Sequence, residues 1–132
     1  MIFKPAFYAT AFLGVFAVSG DVLAGGTEVE YMSSAVLKSA LRGERISYRG
    51  RMLDGDSAAA FGEGYVFSIA ERAQTDGVWC GLDQLAPHEM IAQVFDALPT
   101  MDDPDGGEPA GASIPNILAE IYSCDTTEGQ SQ

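Results

Sequence analysis

The chain has 132 residues, 47% of them apolar, with 7 Lys and Arg against 19 Asp and Glu for a net charge of −12. That length and apolar share fit one domain with a buried core and exclude wholesale disorder. The acidity argues against nucleic acid, whose phosphates need clustered Lys and Arg, and one His with two Cys is too few ligands for a soft-metal site within one chain.

Met1–Ala24 reads as a cleavable export signal. Lys4 precedes an apolar run, Ala6–Val18, and Val22-Leu23-Ala24 offers a small-residue cleavage site before Gly25. The run is 13 residues, short of the about 20 that cross a bilayer as a helix, which disfavours the alternative of an uncleaved anchor. Gly26 stands where a lipoprotein signal would need Cys, so no lipid anchor is expected. Within 25–132 all six basic residues, Lys38, Arg42, Arg45, Arg49, Arg51 and Arg72, lie before Thr75, and 11 acidic residues follow Arg72. That half is either a face kept acidic for solubility or a surface presented to a basic partner.

Thr27-Glu28-Val29-Glu30 has the form of a capping box opening a first helix, with Val29, Met32, Val36 and Ala40 at helical spacing and Gly43 as its stop. Arg45–Gly50 alternates loosely and is either a short extended piece or a turn. Asp56-Ser57 caps a second helix running to about Ala73, with Phe61, Tyr65, Ile69 and Ala73 forming its buried row. Gly62 and Gly64 within it mark a close backbone approach. Thr75-Asp76-Gly77 makes a turn, and Val78-Trp79-Cys80 a short extended segment with Trp79 in the core.

Pro87 opens a third helix whose stripe is Met90, Ile91, Val94, Phe95 and Leu98, closed by Pro99. A fourth starts near Ser113, carries Ile114, Ile117, Leu118, Ile121 and Tyr122 on one side, and finishes at Cys124. The expected body, residues 25–124, is an all-α bundle of about four helices, with 125–132 a disordered tail. In an exported domain, Cys80 and Cys124 suggest one disulfide, and two buried free thiols are the alternative. Between the last two helices, Thr100–Ala112 holds four carboxylates, Asp102, Asp103, Asp105 and Glu108, five Gly or Pro, and no cation. A loop this long is commonly functional or disordered.

Catalytic signals are sparse. His88 is the only imidazole and has no nucleophile pattern beside it. The loop carboxylates suit a hard cation but break the EF-hand spacing at Gly106-Gly107, so neither a metal nor another cofactor is expected.

Gly64-Tyr65 with its small-residue apolar helix, then Val78-Trp79-Cys80, the Pro87–Leu98 helix ending at Pro99, and Ser113–Cys124 closing aromatic-x-Cys together resemble the amidase-immunity (Rap/Tai) family of type VI secretion. The resemblance covers about residues 60–124. It implies a small, exported, mostly helical protein that often dimerises, is no enzyme, and blocks the active-site cleft of a peptidoglycan amidase effector delivered by neighbouring cells. It also implies a Cys80–Cys124 disulfide and makes Tyr65 the tyrosine of the Gly-Tyr motif. Two departures stand out: Gly62 occupies a position where many members have a further Cys, and the loop after the third helix is longer and more acidic. Charge complementarity makes Asp102, Asp103, Asp105 and Glu108 the contact candidates. A second class, the periplasmic acid-stress chaperone, shares the size, the export and the single disulfide, but its chains are richer in Lys.

Overall fold

Ser33 is where the chain turns helical: its extended backbone and its hydroxyl, which accepts the Val36 N–H, start α1 (Ser34–Leu41). The computed structural model describes residues 30–124. Thr27, the export signal and the 125–132 tail lie outside them. Glu30, expected at the third position of the first helix, precedes it: Glu30–Met32 are not helical. Met32 instead offers its carbonyl to the Ala110 N–H, and the Ser34 N–H donates to the Glu108 carbonyl. Arg42 and Gly43 end α1 in a Schellman turn: the Gly43 N–H bonds the Ala40 carbonyl, the Glu44 N–H bonds Ser39, and Gly43 sits at φ 73°.

The ambiguous stretch is a hairpin, so the body is mostly helical rather than all-α. Strands β1 (Ile46–Tyr48) and β2 (Arg51–Leu53) pair antiparallel, with Ile46 opposite Leu53 and Tyr48 opposite Arg51. Arg49 and Gly50 connect them with φ 49° and 72°, the two positive angles of a type I′ turn. Arg49 is the only non-glycine residue with positive φ among those described, a conformation costing about 1–2 kcal/mol for an L-residue with a Cβ.

Helix α2 (Gly55–Thr75) begins at Asp54, not at Asp56-Ser57, and ends in a second Schellman turn at Asp76 and Gly77. Its buried row is Ala58, Gly62, Val66, Ala70 and Ala73, rotated from the expected Phe61, Tyr65 and Ile69, which pack at the core's margin. Small residues sit inside because other elements press close. A Cβ on Gly62 would lie 3.0 Å from Leu41 Cδ2 of α1 and 3.3 Å from its backbone nitrogen. Gly64, by contrast, is exposed and faces nothing within 4 Å.

Helix α3 (Pro87–Ala97) follows the sequence closely, with Met90 and Val94 buried and the Glu89 carboxylate accepting the Ala86 N–H. Helix α4 (Ala110–Ile121) starts three residues before Ser113 and carries Pro115 in its interior. Pro115 has no N–H for the Gly111 carbonyl, a loss tolerable because Gly111 is exposed. Leu37, Val66, Trp79, Met90, Val94, Leu98, Ile114 and Leu118 form the centre of one core, each contributing roughly 1.5–3 kcal/mol by burial.

Candidate functional site

The acidic loop between α3 and α4 is tied to the body and to itself. Lys38 of α1 donates from Nζ to the Leu98 carbonyl at 2.8 Å and lies 5.0 Å from the Phe95 ring centroid. Two residues beyond Leu98, Thr100 donates both its backbone N–H, at 2.6 Å, and its hydroxyl, at 3.0 Å, to Asp103 Oδ2. These bonds, led by the backbone one and aided by the Lys38 charge, hold the Asp103 carboxyl below its ordinary range.

Pro104–Gly107 then forms a 3-10 turn whose Gly106 is buried. Only glycine fits there, because a Cβ would collide with the Thr100 carbonyl and meet Ala35 Cβ at 3.4 Å. Glu108 and Pro109 run beside Ser33, and Tyr31 closes the turn's outer side with its hydroxyl donating to the Gly107 carbonyl at 3.3 Å.

The four sequence-nominated carboxylates therefore divide. Asp103 is spent inside the turn. Asp102, Asp105 and Glu108 are exposed, and no described Lys, Arg or His lies within ion-pair distance of them. In chain order Asp102 and Asp105 flank Asp103, and Glu108 follows the turn. Lys38 is the only lysine in residues 25–132, and its isolation in an Arg-dominated set is the one sequence signal for this role.

Trp79 is fully buried, and its indole N–H donates to the Ala70 carbonyl at 2.7 Å. Tyr65, nominated as core, is only half-buried; burial pushes its hydroxyl upward from the usual phenol value, with Tyr48 adding and Arg49 opposing. Cys80 and Cys124 are disulfide-bonded, Cα to Cα 4.8 Å, and the Cys80 N–H donates to the Tyr122 carbonyl. Gly81 lets this strap lie over the indole, since a Cβ there would stand 2.7 Å from Trp79 Cε3 and 2.9 Å from Tyr122 Cβ.

A groove of about 640 Å³ opens between the end of α1, α2 and α3, lined by Leu41, Arg42, Pro87, Ile91, Phe95 and the exposed His88. No side-chain hydrogen bond engages His88 among the described residues, and they hold no cluster of three or more His, Cys, Asp or Glu fit for a metal ion. No described helix is long and apolar enough to cross a membrane. The site is thus a rigid acidic turn set on a disulfide-strapped, mostly helical body. Compared with known proteins, the chain matches no family model and no curated sequence.

Proposed function

We propose that this chain is an exported immunity protein that binds a peptidoglycan amidase effector of a type VI secretion system and blocks its cleft, acting by contact and not by turnover. The observation that carries this reading is the acidic turn: Asp103 and Lys38 fix its shape while Asp102, Asp105 and Glu108 stay exposed, with no ion pair among the described residues. A contact surface ordered before binding loses less conformational freedom in the complex. Exposed carboxylates also speed the encounter with a cleft that holds basic groups.

Two further features support it. The order of motifs from Gly64-Tyr65 to Cys124 resembles the Rap/Tai amidase-immunity family. The Cys80–Cys124 disulfide sits at the positions this resemblance assigns, and such bonds persist in oxidising compartments outside the cytoplasm. The test is affinity capture: the processed chain is immobilised, exposed to periplasmic extract, and its retained proteins are identified by mass spectrometry. Capture of a peptidoglycan amidase at stoichiometric level, with its hydrolysis of peptidoglycan suppressed by one equivalent of the chain, supports the reading. No amidase retained, or a retained amidase that hydrolyses peptidoglycan unimpeded, refutes it.

A further inference from the structure

We propose that the tip of the β1–β2 hairpin is a separate contact surface, built to take a short carboxylate-bearing protein segment through Arg49 and Arg51. This holds whatever partner meets the acidic turn. The chain has 19 acidic residues against 7 basic ones, so an exposed arginine has many carboxylates to choose from. Arg42, Arg45 and Arg72 each lie within 4.0 Å of one, at Glu44, Asp54 and Asp76. Arg49 and Arg51, both exposed, have none among the described residues.

The tip is also held in place. The Arg49 guanidinium lies 5.4 Å from the Tyr48 ring centroid, and that ring packs at 5.5 Å against Phe61 of α2. Glu30 accepts the Arg49 backbone N–H at 2.7 Å and forms no ion pair with its side chain. A left-handed backbone at Arg49, where Gly or Asn would sit more easily, places a cation at the apex of the turn. Such strain at an exposed charged residue is a reason to look for a ligand.

Charge and neighbourhood select the ligand. Arginine forks match carboxylates two bonds at a time. A net charge of −12 disfavours contact with an extended anionic surface such as a membrane. The Glu30 carboxylate already sits at the tip on the Arg49 N–H, so an anionic chain running on past the two guanidinium groups meets a like charge. A compact acidic segment fits and a long polyanion does not.

The probe is hexaglutamate, titrated at low salt into the isotope-labelled chain and followed by backbone amide shifts. Saturable shifts confined to Tyr48–Met52 are expected, weakened about tenfold when Arg49→Gly and Arg51→Ser are combined. Arg49→Gly keeps the positive φ of the turn, and the unshifted Ile46 and Leu53 amides report whether the hairpin is intact. Should that pair unfold the hairpin, Arg49→Lys with Arg51→Lys keeps the charge without the fork and is expected to bind more weakly than the parent. Absence of hairpin shifts overturns the proposal, as does an equal response from the substituted chains. Tighter binding at the tip by phosphatidylglycerol vesicles or inorganic phosphate than by hexaglutamate overturns it too.

Discussion

Removing the Cys80–Cys124 bond by Cys80→Ala with Cys124→Ala tests how much of the fold depends on its strap. The sequence separation of 44 means a closed loop of 44 plus 1, or 45, residues. The chain-entropy relation then assigns the cross-link about 4 kcal/mol at 25 °C, through restriction of the unfolded chain. A domain of this size has about 5–15 kcal/mol in all, so the loss takes a large share of the total. The strap also carries the Cys80–Tyr122 backbone bond and lies over Trp79 through Gly81. Urea unfolding followed by tryptophan fluorescence is the assay, because Trp79 is the only indole. The midpoint is expected to drop by about 4 kcal/mol divided by the slope, and the slope to rise as the unfolded state expands. A loss below about 1 kcal/mol would refute the view of the strap as a structural cross-link.

Trp79→Ala removes both a fully buried ring and its bond to Ala70, and is expected to cost about 3–5 kcal/mol in urea unfolding followed by far-ultraviolet circular dichroism, since the variant has no indole to report. Gly81→Ala forces a methyl between Trp79 and Tyr122, at about 1–3 kcal/mol of overpacking by thermal melt. Lys38→Met releases the Leu98 carbonyl, and hydrogen exchange across 99–108 is expected to quicken while α4 keeps its protection. The Asp103 carboxyl is held below its ordinary range in the folded chain, so its clip is intact above the ordinary carboxylate value and is lost as pH falls through the lowered one. The Thr100 amide shift followed against pH is expected to report that step and to lose it in Asp103→Asn.

Local signals were legible where local chemistry decides. Pro87, the Met90–Leu98 stripe and Pro99 set α3 almost to the residue, and Gly43 and Gly77 marked the two Schellman turns because a positive φ favours glycine. Contacts between distant segments decided the rest. The start of α1 moved from Thr27 to Ser33 because residues 32–34 are claimed by backbone bonds to Glu108 and Ala110. The same bonds draw α4 back to Ala110, against the rule that favours Pro115 near a helix start. The buried row of α2 turned toward Gly62, Val66 and Ala70 because Leu41 and the Trp79 indole need small neighbours. Arg45–Gly50 is ambiguous between an extended piece and a turn on sequence grounds because Arg-Gly lacks the usual Asn-Gly or Asp-Gly hairpin signal. In the candidate site the four carboxylates were legible as a group, but their division was not: only the Thr100 bonds to Asp103 separate it from the other three.

Calorimetric titration of the amidase recovered by capture, against the parent chain and against Asp102→Ser/Asp105→Ser/Glu108→Ser, bears most directly on the account. All three positions are exposed and outside the Asp103 clip, so the fold is expected to persist. If each charged contact contributes about 1 kcal/mol or more across the interface, affinity falls at least about a hundredfold and becomes less dependent on salt. Identical affinity and salt dependence for the two chains would place the contact elsewhere and contradict the account.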